Sequence, residues 1–206
     1  IGRVQGNAFG GGVGMISVCD VAVSVPEARF GLTETKLGLI PATIGPYVLA
    51  RMGENKARRV FMSARLFGAD EAMRLNLIAG LAAAEALDAA IEAEVAPYLN
   101  CAPGAVAAAK ALARRLGPPI GPAEIEASID ALVAVWEGDE APEGITAFFD
   151  KRKPRWQAWC DICAQRMAGL PSGSDDGGQE VLLSQTKLPV LCQPVRKVPP
   201  CRRSPI

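Results

Sequence analysis

The sequence of 206 residues contains no histidine. Catalysis by a Ser-His-Asp triad or a Cys-His pair needs an imidazole base, so both are excluded, as is every metal site with histidine ligands. The sequence also lacks a charge imbalance, because 22 lysines and arginines face 22 aspartates and glutamates. We therefore expect neither a nucleic acid nor an acidic membrane surface as a partner.

Long hydrophobic runs are absent too. No apolar stretch approaches the roughly 18 residues of a membrane span, and no basic-apolar-small order marks a secretory signal. These absences predict a cytoplasmic protein without a membrane partner. The chain starts with Ile1 rather than methionine, and Ile1 to Gln5 already alternates like the middle of a strand. We expect that the chain lacks its natural beginning.

Six cysteines are present, and the last four lie at Cys160, Cys163, Cys192 and Cys201. Only the first two of these form a CxxC pair, whereas a zinc knuckle needs two such pairs at knuckle spacing. We predict no metal site. The surrounding residues 160–206 are rich in Gly, Ser, Asp and Pro without periodicity, and we expect them to be disordered.

The first 83 residues read as an α/β core. Short β-branched or alternating segments recur between short helices, which favours a layered α/β spiral over a regular Rossmann unit. The predicted strands are Ile1–Gln5, Asp20–Ser24, Arg29–Leu32 and Leu77–Ala82. The predicted helices are Val13–Cys19, Pro46–Met52, Asn55–Ala64 and Ala69–Leu75.

From residue 84 to residue 159 the pattern becomes all-helical and alanine-rich. Prolines at early helical positions mark two of the starts. The predicted helices are Ala84–Leu99, Pro103–Leu116, Pro122–Glu137 and Glu143–Lys151.

The triple glycine Gly10, Gly11 and Gly12 is the first candidate site. It opens a predicted helix, and the free N–H groups of such a turn can bind an anionic oxygen. It is not a GxGxxG fingerprint at the end of a βαβ strand, so no dinucleotide site is predicted. Glu34 follows about twenty residues later, and a carboxylate brought near the turn could transfer a proton.

The segment NAFGGGVGMISVCDVAVSVPEARFGLTETKLGLIP resembles the central signature of the crotonase (enoyl-CoA hydratase/isomerase) superfamily. ITAFFDKRKPRW is similar to the end of that family's last helix. The resemblance covers about residues 1–159 and implies an α/β fold. It consists of the C-terminal portion of a crotonase-like ββα spiral core, over residues 1–83, and a helical trimerisation region, over residues 84–159. Residues 160–206 lie outside the resemblance.

The resemblance also implies roles for individual residues. Gly11 matches a backbone N–H donor of the oxyanion hole, with Gly10 and Gly12 beside the substrate, and losing one such donor can cost about 2.7–4 kcal/mol. Glu34 matches the second of the family's two catalytic glutamates. The first falls at Gly14, which cannot transfer a proton. Two further matches, Phe148 and Lys151, lie where family members reach the coenzyme A of a neighbouring subunit.

Three functions remain open on this sequence. The first is an enoyl-CoA hydratase, which adds water to a 2-enoyl-CoA thioester through a stabilised enolate. The second is an enoyl-CoA isomerase that uses Glu34 alone, and the third is a truncated, inactive chain that only folds or associates. GLTETKLGLIPATIGPYVLARMG resembles the methylglutaconyl-CoA hydratase branch. The family implies no cofactor apart from coenzyme A as part of the substrate, and a homotrimer or hexamer.

Overall fold

A computed structural model describes residues 1–157 of the chain. The predictions of a disordered tail and of no metal at Cys160, Cys163, Cys192 and Cys201 lie outside the described residues. No helix within the described part is long and apolar enough to cross a membrane.

Within residues 1–157, six short strands build two three-stranded sheets. Their bounds are β1 Gly2–Val4, β2 Ala8–Phe9, β3 Ala22–Ser24, β4 Arg29–Gly31, β5 Phe67–Gly68 and β6 Gly80–Leu81. The first sheet has the order β1-β3-β6 and is entirely parallel. In the second, β2 pairs with β4 in parallel and β4 pairs with β5 antiparallel. The first four strands alternate between the two sheets, as expected of a spiral.

Short helices connect these strands and continue beyond them. Their bounds are α1 Gly11–Ser17, α2 Gly45–Met52, α3 Glu54–Phe61, α4 Ala69–Arg74, α5 Leu87–Val95, α6 Pro103–Leu116, α7 Pro122–Trp136 and α8 Glu140–Phe149. Three 3₁₀ helices occupy Glu34–Leu37, Ala84–Ala86 and Ala96–Asn100. We refer to the first of these as the Glu34 turn. Together with the sheets, these helices give the predicted mixed α/β fold.

The core lies between the two sheets and the helices that cover them. Phe30 of β4 stacks on Phe67 of β5 with ring centroids 5.8 Å apart, and both rings are buried. The buried side chain of Leu87, at the start of α5, belongs to the same cluster. Helix α5 packs against β1 and β3. Burial of such large side chains supplies most of the stabilisation available to a domain of this size.

Several predicted boundaries need correction. The strand predicted over 77–82 is reduced to Gly80–Leu81, because Leu77 and Ile78 are buried before it without pairing in the sheet. The helix predicted to end at Ala64 ends at Phe61, since Ala64 adopts a positive φ of 48°. The helix predicted over 84–99 is broken into a short α-helix with a 3₁₀ turn at each end.

Candidate functional site

The glycine turn joins β2 to α1. Gly10 has a φ of 49°, a region that L-residues with a β-carbon rarely occupy. Its N–H donates to the carbonyl of Gly31 at 2.9 Å, which ties the turn to the end of β4. Its carbonyl accepts hydrogen bonds from Val13 and Gly14 and so begins the helix. The turn is therefore fixed by backbone bonds alone.

The N–H groups of Gly11 and Gly12 form no hydrogen bond within residues 1–157. They belong to the first turn of α1, where backbone donors have no partner inside the helix. Gly11 is exposed, and a β-carbon built on it would meet no atom within 4 Å. The turn thus offers unpaired donors on an open side, as the sequence predicts for an anionic oxygen.

Glu34 is brought directly against this turn. It begins the Glu34 turn just after β4, the strand that pairs with β2. A β-carbon at position 10 would lie 3.0 Å from Oε1 of Glu34, so the carboxylate rests on the face of Gly10 that lacks a side chain. The structure therefore places Glu34 beside the residue that immediately precedes Gly11.

One oxygen of the Glu34 carboxylate is unusual. Oε2 is buried and has no hydrogen-bond partner among the described residues. Buried acceptors are nearly always paired, because an unpaired one loses its hydration without compensation. An acceptor left free beside unpaired N–H donors is what a site needs in order to bind a proton donor such as water or an acidic C–H group.

Helix α8 packs closely against the Glu34 turn at two glycines, Gly144 of the helix and Gly38 at the end of the turn. A β-carbon on Gly144 would lie 2.5 Å from the carbonyl oxygen of Leu37 and 2.8 Å from the ring of Trp156. On the turn itself, Gly38 has a φ of 69°, and a β-carbon there would lie 2.9 Å from the backbone nitrogen of Ala141. The two backbones can approach this closely only because both positions are glycine.

Gly14 lies one helical turn after Gly10 and is buried. A β-carbon there would overlap Cγ2 of Ile44 and lie 2.9 Å from its Cβ. Ile44 immediately precedes α2, which packs against α1. The space that a side chain at position 14 would enter is therefore filled by a branched aliphatic side chain.

Phe148 and Lys151 are not brought to the glycines. Phe148 is 65% exposed near the end of α8, where its ring contacts Phe149 edge-on. Lys151 is exposed just after the helix, with a φ of 52°. Within the described part of the chain neither residue makes a hydrogen bond, ion pair or ring contact with Gly11 or Glu34. The structure thus brings Gly10, Gly11 and Glu34 together.

An ion pair fixes the chain around Lys151. Arg152 donates from both terminal nitrogens to the Glu143 carboxylate, at 2.7 and 2.9 Å, and the N–H of Arg155 donates to it at 2.9 Å. These bonds, led by those from Arg152, lower the pKa of Glu143 to about 2. The segment after α8 is therefore held back against that helix.

A cavity of about 940 Å³ lies at the opposite, C-terminal end of α1. It opens between that end and α6, near Cys19 and Tyr98, and none of the predicted site residues lines it. No cluster of three or more Cys, Asp or Glu able to hold a metal ion occurs in residues 1–157.

Sequence reasoning missed three residues of this arrangement. Gly38 and Gly144 permit the close approach behind Glu34, and Ile44 fills the space beside Gly14. A glycine four residues after Glu34 is a visible signal for Gly38, because such glycines often end a helical turn. No sequence signal links Ile44 to Gly14, which lies 30 residues earlier.

Comparison with known proteins places the chain in a family. The family model described as enoyl-CoA hydratase/isomerase matches residues 1–159. The enoyl-CoA hydratase AFT6-1 of Alternaria alternata is 34% identical over 160 residues, which cover 76% of this chain and 54% of that protein. The crotonyl-CoA hydratase of Syntrophomonas wolfei is 30% identical over 163 residues, 74% of this chain and 59% of that protein.

Solved structures give the same result. An enoyl-CoA hydratase from Mycobacterium avium superposes with a TM-score of 0.65 at 32% identity, over 75% of this chain and 61% of that one. A carnitinyl-CoA hydratase from the same organism has a TM-score of 0.65 at 28% identity, over 74% and 60% of the two chains. The chain thus spans less than two thirds of the length of these relatives. It belongs to the enoyl-CoA hydratase/isomerase family, and its fold is the crotonase fold.

Proposed function

We propose that the chain carries the Gly11–Glu34 half of a site that adds water to a 2-enoyl-CoA thioester. The observation that carries the proposal is the Glu34 carboxylate, which rests on Gly10 with one buried oxygen unpaired. Membership of the family supports an acyl-CoA thioester as the substrate. The proposed reaction requires no metal or redox cofactor, because the conjugated thioester carbonyl itself makes the β-carbon electrophilic.

The proposed steps use one carboxylate twice. Glu34 takes a proton from a water molecule while the water oxygen bonds to the β-carbon, and the electrons of the double bond move toward the thioester oxygen. The Gly11 N–H donates to that oxygen as it becomes an enolate. The proton on Glu34 then passes to the α-carbon, which completes the 3-hydroxyacyl-CoA and restores the carboxylate.

A second candidate is favoured by the position of Gly14. This residue has no carboxylate, and Ile44 fills the space beside it, so that the carboxylate found against the turn within residues 1–157 is that of Glu34. A single base suffices for isomerisation, in which Glu34 removes a proton from the α-carbon of a 3-enoyl-CoA and returns it to the γ-carbon. The product is a 2-enoyl-CoA without added water.

One assay separates these reactions. The chain is incubated with crotonyl-CoA and, separately, with a 3-enoyl-CoA, and the thioesters are separated by chromatography before their masses are measured. A gain of 18 mass units from crotonyl-CoA supports hydration, and conversion of the 3-enoyl thioester without a mass change supports isomerisation. If the folded chain converts neither thioester, both enzyme proposals are contradicted, and that is the result expected of a chain that only folds or associates.

The family branch, the cellular location and the coenzyme A contacts are further predictions from the sequence. We propose the methylglutaconyl-CoA hydratase branch, on the resemblance of residues 31–53, and a higher kcat/KM for 3-methylglutaconyl-CoA than for crotonyl-CoA would support it. Equal values would contradict it. A cytoplasmic location, and the role of Phe148 and Lys151 in binding the coenzyme A of a neighbouring subunit, also stay predictions.

Association into a homotrimer or hexamer is supported by the surface of the helices α6 and α7. Their large apolar side chains are exposed in the single chain. They are Leu112, Leu116, Ile125, Ile129, Val133 and Trp136. Exposed apolar patches mark sites of protein association, and we propose that these side chains contribute to one. Sedimentation velocity should show a species of three or six copies, and a monomer at all concentrations would contradict the proposal.

A further inference from the structure

We propose that Ile44 is a specificity-determining residue of the Gly11–Glu34 site. Its side chain fills the space that a carboxylate side chain at position 14 would need. Proton transfer is thereby left to Glu34 alone. The chemical effect of Ile44 rests on the proposed function. The packing that it requires is independent of any activity.

The packing is tight. A β-carbon at position 14 would overlap Cγ2 of Ile44, with Cβ of the same residue only 2.9 Å away. Real β-carbons do not approach other atoms this closely, so no residue larger than glycine fits at position 14 while Ile44 keeps its rotamer. Ile44 is β-branched, and a β-branched side chain has little freedom to move aside.

The contact between Gly14 and Ile44 lies close to the glycine turn. Gly10 touches the carboxylate of Glu34, and the N–H of Gly14 donates to the carbonyl of Gly10. Position 14 is therefore one turn of α1 away from the glycine turn, on the side that faces α2. An acidic side chain there would lie near the reacting atoms, whereas Ile44 presents only methyl and methylene groups.

This arrangement has a chemical consequence. A carboxylate at position 14 would hold or activate a water molecule, and an aliphatic side chain has no polar atom with which to do so. Ile44 therefore biases the site toward reactions in which one group both removes and returns the proton.

The packing is tested with alanine variants. In the full chain, Gly14→Ala should lower Tm by about 3 °C or more, because the new methyl group overlaps Ile44. With Ile44→Ala also present, the added Gly14→Ala should be neutral or stabilising, since alanine is favoured over glycine inside a helix. If Gly14→Ala lowers Tm equally in both backgrounds, the contact is absent and the proposal fails.

The chemistry is tested with an acid and its matched amide. Gly14→Glu with Ile44→Ala should form 3-hydroxyacyl-CoA about 10-fold or more faster than Gly14→Gln with Ile44→Ala. The Tm changes of the alanine variants give a readout that needs no turnover.

The outcomes separate the two proposals. A Tm loss from Gly14→Ala that disappears when Ile44→Ala is present, without turnover by any variant, contradicts the proposed function but supports the placement of Ile44. Equal Tm losses in the two backgrounds and equal product rates in the acid and amide variants overturn the inference about Ile44, even if the unmodified chain is an active hydratase.

Discussion

The α/β core and the helices α6 and α7 bury their apolar residues to very different extents. Phe30, Leu77 and their neighbours in the core are fully buried by contacts within the chain. No residue of α6 or α7 is buried, although both helices lie wholly within the described residues. The comparison shows that an amphipathic pattern predicts a helix without predicting what covers its apolar face. The core is stabilised from within, whereas the apolar faces of the two helices remain available to other chains.

The largest difference is expected from the same substitution in the two regions. Leu77→Ala removes a side chain that is 0% exposed and should lower the free energy of unfolding by about 2–5 kcal/mol. Leu116→Ala removes one that is 76% exposed and should change it by less than about 0.5 kcal/mol in dilute solution. Urea titration of both variants measures the difference. Equal losses would show that α6 is packed as tightly as the core.

A medium effect is expected where the helical region meets the Glu34 turn. Gly144→Ala should destabilise the chain by about 1–3 kcal/mol, because its methyl group would strike the backbone of Leu37. It should also lower turnover, since Leu37 belongs to the same turn as Glu34. Gly104→Ala is the matched control in α6, where a β-carbon meets nothing within 4 Å. If both variants unfold at the same urea concentration, α8 does not press on the turn.

The smallest effect is expected from pH. The pKa of Glu143 is lowered from an ordinary 4.5 to about 2 by its hydrogen bonds, first those from Arg152. Its contribution to stability is therefore present above pH 4.5 and is lost as the pH falls toward 2. Arg152→Gln should lower Tm at pH 6 and should lower it much less at pH 3. Arg115→Gln, an exposed control, should leave Tm unchanged at both pH values. A Tm difference that is the same at both pH values would contradict the ion pair.

Local signals in the sequence predict much of this fold. The predicted bounds of α6 agree with the structure, because Pro103 starts the helix and Gly117 follows its end. Pro46 likewise marks the first turn of α2. Strands of two residues carry too little pattern for such a prediction, and β2 and β5 were missed for that reason. Their pairing depends on partners far along the chain.

The candidate site divides in the same way. Gly11 and Glu34 are predicted because their residue types and surrounding motif are local. Ile44 beside Gly14, and Gly144 behind Leu37, depend on how separate elements pack. Sequence spacing alone does not show which side chain fills a space left by a distant glycine.

The central claim is that the Glu34 carboxylate performs proton transfer at the glycine turn. Its most direct test is the rate of 3-hydroxyacyl-CoA formation by Glu34→Gln, with Glu27→Gln, an exposed acid in the turn before β4, as the matched control. We expect a loss of about 10²–10⁴-fold for Glu34→Gln and an unchanged rate for Glu27→Gln. A Glu34→Gln variant that folds and hydrates crotonyl-CoA as fast as the unmodified chain would contradict it.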